Sequence, residues 1–171
     1  EKLDQLTSLG LGGNKLTSVQ GLEKLDQLTS LGLGGNKLTD VKGLEKLDQL
    51  KVLNLENNQL TDVKGLEKLD QLKQLYLQNN QLTDVKGLEK LDQLTHLVLD
   101  NNPALTKAQI VELKKALPRC EIYPLTKEES AEIIEAAIRK AAKKPTGELT
   151  QADLEKGTEL DLETNQLTDV K

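Results

Sequence analysis

Phenylalanine, tryptophan and methionine are absent from these 171 residues, and the aromatics reduce to Tyr76 and Tyr123. A chain this long buries a sizeable core, so that core must be aliphatic and mostly leucine. The single cysteine, Cys120, excludes an internal disulfide. It leaves the compartment open, with a reducing one tolerated. No apolar run approaches the roughly 20 residues of a membrane span. The chain opens on Glu1 with no signal peptide, so a soluble protein is expected. A basic excess is missing too: 28 acidic residues face 23 basic ones, for a net charge of −5. That balance argues against nucleic acid, which needs a basic stripe, and against an anionic membrane surface.

What is present is repetition. Gly-Leu-Glu-Lys-Leu-Asp-Gln-Leu stands at 21–28, 43–50, 65–72 and 87–94. Residues 6–27 and 28–49 differ only at Ser18/Asp40 and Gln20/Lys42. Residues 50–71 and 72–93 differ only at Val52/Gln74, Asn54/Tyr76 and Glu56/Gln78. The shared pattern is L-x-x-L-x-L-x-x-N-x-L-x-x-V-x-x-L-x-x-L-x-x. In L-x-L the leucines alternate with outward residues, as in a short strand buried on one face. One repeat cannot bury its leucines alone, so neighbours must stack into a continuous core with parallel strands. The recurring Asn14, Asn36, Asn58, Asn80 and Asn102 fall where strand becomes loop, and predict a structural ladder of amides bonded to backbone. Val19, Val41, Val63 and Val85 are expected to fill the core from the opposite side. The Glu-Lys-Leu-Asp-Gln segments predict short helical turns with their charges outward.

This pattern resembles the leucine-rich repeat, and its Leu-Thr-Asp-Val after the Asn resembles the 22-residue internalin type in particular. The resemblance implies an α/β solenoid: a parallel sheet on the concave face, short 3₁₀ or helical turns on the convex face, and helical caps. Residues 1–105 read as the repeats. Residues 106–123 resemble the C-terminal cap of bacterial members. Thr106 is the expected N-cap of a helix carrying Ile110, Leu113, Ala116 and Leu117 at helical spacing, and Pro118 stops it. Residues 120–123 predict a last strand, with Cys120 a small buried cap residue rather than a reactive thiol, since no partner cluster is in view.

Residues 124–156 are similar to the N-terminal cap of the same proteins: an amphipathic helix over about 127–143 burying Ile134, Ala137, Ile138 and Ala141, then a short helix near 150–156. Residues 157–171 read as a partial repeat. The chain thus has the order of a circularly permuted, capped solenoid, cut inside the repeated octet. Six stacked strands span about 24 Å, and residues 121–125 reach at most about 17 Å. Closure within one chain is therefore expected to be strained. Self-association is expected instead, as a swapped dimer or ring, through Leu3, Leu6, Leu9 and Leu11 of one copy and Leu160, Leu162, Leu167 and Val170 of another.

The family's usual binding surface is the concave face. Its expected side chains are Val52, Asn54 and Glu56; Gln74, Tyr76 and Gln78; and His96, Val98 and Asp100. The two preceding strands offer only Ser8, Gly10, Gly12 and Ser30, Gly32, Gly34, either a blank surface or a floor for close approach. Tyr76 stands out as the one aromatic expected there. Catalysis would have to use His96 beside Asp100 or Glu56, without an adjacent nucleophile or closed pocket. No enzyme, metal or cofactor site is therefore expected. The acidic Glu159, Asp161 and Glu163 read as a solvated face. Near-identical repeats and the missing methionine point to an engineered, consensus-like scaffold without natural activity. The alternative is a bacterial internalin-like module binding a protein or peptide on its concave face.

Overall fold

A strand of three residues centred on leucine can bury only that leucine, so stability must come from strands lying side by side. The computed structural model, which describes residues 5–124, 127–144, 146–147 and 150, has this arrangement. The chain divides into two compact units, Glu1–Tyr123 and Pro124–Lys171. In the first, six parallel strands follow one another in chain order: β1 Ser8–Gly10, β2 Ser30–Gly32, β3 Val52–Asn54, β4 Gln74–Tyr76, β5 His96–Val98 and β6 Glu121–Tyr123. Leu9, Leu31, Leu53, Leu75, Leu97 and Ile122 stand opposite one another across the sheet. A slip of one residue would turn every one of them to water, which pins the register.

The expected convex turns are 3₁₀, at Leu22–Lys24, Leu44–Lys46, Leu66–Lys68 and Leu88–Lys90. Each begins after a left-handed glycine, with Gly65 at φ 103°. The charges of these turns lie at the surface, and the glutamates have a further role there. The Glu67 carboxylate folds back and accepts the Gly65 N–H at 2.6 Å, and Glu23, Glu45 and Glu89 do the same at Gly21, Gly43 and Gly87. A glutamate that caps a turn satisfies an N–H that the 3₁₀ geometry leaves free. Val19, Val41, Val63 and Val85 are buried beneath these turns as expected.

The asparagines form the expected ladder. The Asn58 amide donates to Leu55 O of its own turn and to Leu33 O of the preceding repeat, both at 3.1 Å, while its Oδ1 accepts the Leu38 N–H at 3.0 Å. Asn36, Asn80 and Asn102 repeat this geometry and are buried with it. Asn14 is exposed and, among the described residues, its amide bonds Leu11 O and Gly12 O of its own turn.

Helix α1, Lys107–Ala116, closes the β5 side. Thr106 caps it in a reciprocal capping box with Gln109. Ile110, Leu113 and Leu117 are buried, but Ala116 is exposed, so the apolar stripe is narrower than expected. Strand β6 takes up Glu121–Tyr123, where a last strand was expected. At the β1 side Leu6, Leu9, Leu11 and Leu16 are only half-buried, whereas Leu28, Leu33 and Leu38 one repeat on are wholly enclosed.

The second unit carries α2, Lys127–Ala141, two residues shorter than expected. Ile134, Ala137, Ile138 and Ala141 are half-buried, and Ala142, just beyond the helix, is buried. Arg139 joins Glu135 at 2.7 Å and donates to Gly147 O at 2.8 Å, tying the helix end to its turn. The expected helix near 150–156 and the partial repeat 157–171, with Glu159, Leu160, Asp161, Leu162, Glu163, Leu167 and Val170, lie outside the described residues, as does Leu3.

Candidate binding face

Because alternate strand residues face opposite ways, the positions flanking each central leucine line the outer face of the sheet. Two rows run across it in register. The first is Ser8, Ser30, Val52, Gln74, His96 and Glu121; the second is Gly10, Gly32, Asn54, Tyr76, Val98 and Tyr123. A third row follows the strands: Gly12, Gly34, Glu56, Gln78 and Asp100. Of the nine residues expected on this face, Val52, Asn54, Gln74, Tyr76, His96 and Val98 hold the outward strand positions, and Glu56, Gln78 and Asp100 follow their strands.

Two further residues join them, and both correct the sequence reading. Tyr76 is not the sole aromatic: Val98 separates it from Tyr123 in the same row. His96 is partnered by Glu121, with Nε2 3.0 Å from Oε2, and not by Asp100 or Glu56. The signal was available, since Glu121-Ile122-Tyr123 repeats the out-in-out alternation of the earlier strands. Val98 differs in another way. Between two tyrosines it keeps only 6% of its surface accessible, so it is a filled position rather than an open one.

The two glycine strands differ from the rest. A Cβ on Gly10 would meet nothing within 4 Å, and one on Gly32 only ordinary contacts. Gly34 is different: a Cβ there would lie 2.9 Å from Glu56 Cγ and 3.0 Å from Asn54 Oδ1. Its missing side chain therefore makes room for its neighbours, while Gly10 and Gly32 leave the floor bare.

The polar groups of β3–β5 hold one another. Asn54 Oδ1 accepts the Glu56 N–H at 2.9 Å, Tyr76 OH donates to Gln74 Oε1 at 3.3 Å, and Gln78 Nε2 donates to Glu56 Oε2. Two acceptors are left over. Gln78 Oε1 and Asp100 Oδ2 are buried and have no hydrogen-bond partner among the described residues. Burial raises the Asp100 carboxyl above its ordinary value, because the charged form loses water faster than its own N–H compensates it. Burial and the neighbouring Glu121 push the Tyr123 phenol up as well. Away from the face, burial pushes the half-buried Cys120 thiol up to about 12, which makes it a poor nucleophile. Among the described residues no group of three or more His, Cys, Asp or Glu is placed to hold a metal ion, and no helix is long and apolar enough to cross a membrane.

An open parallel sheet with one residue period, 3₁₀ turns behind it and an asparagine ladder at its edge defines a solenoid repeat protein. The family model for leucine-rich repeats matches residues 4–46, 26–68, 48–90 and 70–115, and the chain belongs to that family. Among solved structures it is similar to an internalin of Listeria monocytogenes, at 34% identity and a TM-score of 0.65, over 72% of this chain and 36% of the internalin. It is also similar to a leucine-rich repeat protein of Leptospira interrogans, at 37% identity and a TM-score of 0.67, over 71% of this chain and 32% of that one. The chain thus spans about a third of the length of each. Comparison with curated protein sequences finds no match.

Proposed function

We propose that this protein is a consensus-type binding scaffold whose working surface is the outer sheet face from Val52 to Tyr123, and that this surface takes a protein or peptide. The observation that carries the reading is the contrast along the sheet. Variation between repeats 50–71 and 72–93 is confined to outward positions, while every inward leucine is kept. The same face bears both tyrosines, and amphipathic aromatics on a rigid floor are common anchors of recognition. The near-identity of residues 6–27 and 28–49 supports an engineered origin. The test is to pan a randomised peptide library on the immobilised protein and to measure each binder against Tyr76→Ala and against the convex variant Lys46→Ala. Binders of the face lose at least about tenfold in affinity with the first and nothing with the second. Binders indifferent to Tyr76→Ala contradict the reading.

A second reading rests on the half-buried Leu6, Leu9, Leu11 and Leu16. A sheet edge backed by half-buried leucines is a template for another strand. The leucine pattern of residues 157–171 is complementary to it, which supports self-association between copies. Sedimentation equilibrium then reports a multiple of 18.9 kDa, and Leu9→Glu reduces it; a monodisperse 18.9 kDa species contradicts this reading.

A further inference from the structure

We propose that the site formed by Tyr76, Tyr123, Gln78 and Asp100 receives an arginine side chain of a partner peptide. The inference rests on the binding face proposed above and names the chemistry of its occupant. The Gln78 amide nitrogen donates to Glu56, and its oxygen is left as a buried acceptor without a donor. Asp100, at the same position of the next repeat, adds Oδ2. Both atoms are shut away from solvent, and a buried acceptor without a donor costs free energy until one arrives. A donor-only group is therefore what the site lacks.

Charge points the same way. The outward positions of β3–β6 and the row behind them carry Glu56, Asp100 and Glu121, and neither lysine nor arginine. Lys51 and Lys73 stand just before their strands, at the opposite end from Glu56, Gln78 and Asp100. The two tyrosines on either side of Val98 supply the aromatic rings that attract a cation. Guanidinium combines the features required. It is planar, stacks on aromatic rings, has five donors and no acceptor, and keeps its charge. Ammonium is a compact, strongly hydrated point charge and meets fewer of these demands. The raised proton affinity of Asp100 agrees, since a carboxylate left without donors is easier to protonate.

Tyr76 and Tyr123 are the only tyrosines, and there is no tryptophan, so intrinsic emission reports on this face alone. The experiment titrates the full chain with nine-residue peptides alternating serine with arginine, lysine or glutamate, followed by tyrosine emission and by calorimetry. The arginine peptide gives a saturable emission change and binds about tenfold more tightly than the lysine peptide. Asp100→Asn weakens it by about tenfold, and Tyr123→Leu, which keeps an apolar cover over Val98, weakens it similarly. Equal binding of the glutamate or lysine peptide, heat without an emission change, or full affinity in Asp100→Asn overturns the proposal. None of these outcomes removes the binding face itself, which fails only if no panned binder responds to Tyr76→Ala.

Discussion

His96 Nε2 stands 3.0 Å from Glu121 Oε2, joining the last full repeat to the strand of the cap. Both side chains are about half exposed, so solvent screens the pair. Glu121→Gln should lower stability by less than about 1 kcal/mol in urea unfolding. A larger loss would mean that the pair, rather than the backbone ladder and Ile122, holds the cap strand.

The asparagine ladder predicts the opposite scale. Asn58→Ala strands the Leu38 N–H in the interior and takes one of two amide donors from Leu33 O and Leu55 O, which keep those of Asn36 and Asn80. A loss of about 1–3 kcal/mol is expected. Asn14→Ala touches only exposed partners in its own turn and should cost under about 1 kcal/mol. Urea denaturation of the two variants side by side measures the difference.

Glycine substitutions separate backbone need from open space. Gly65→Ala forces a Cβ into φ 103° and should cost about 1–2 kcal/mol. Gly10→Ala meets no atom and should stay within about 0.5 kcal/mol of the parent. Thermal unfolding of both variants settles whether the bare strands accept new side chains.

Acid acts on the carboxylates in two directions. Glu23, Glu45 and Glu67 accept their own N–H and that of the glycine before them, which lowers their pKa values. Their contribution is present above the unfolded value of 4.5 and is lost as pH falls through the lower folded one. Asp100 runs the other way. Its folded value is raised above 3.8, so the native state holds the proton more tightly and stability falls as pH rises through that window. Asp100→Asn should therefore raise the melting temperature at neutral pH, with the gain vanishing near pH 3. A gain independent of pH would assign the effect to packing.

Cys120, half-buried with its thiol pushed up to about 12, should react slowly with iodoacetamide at pH 8. Alkylation rates with and without urea check it: unfolding should restore an ordinary thiol rate, and equal rates would contradict the burial argument.

The solenoid was legible because its signals are periodic. Leucines at fixed spacing, the asparagine series and the Thr106 cap each determine a local geometry that stacking then repeats. Features that depend on a neighbour one repeat away were harder to read. Periodicity alone does not show that Glu67 turns back to Gly65, that Gly34 yields space to Glu56, or that Tyr123 flanks Val98. The glutamate caps recur with the repeat yet depend on a glycine's left-handed φ. The face is completed by a strand outside the repeat pattern.

The most direct test of the binding face is the ring carbon–proton spectrum of the two tyrosines, recorded with and without a panned peptide. The account predicts that the Tyr76 and Tyr123 signals shift while the methyls of Val41, Val63 and Val85, buried under the convex turns, stay in place. Unmoved tyrosines with shifted convex methyls would contradict it.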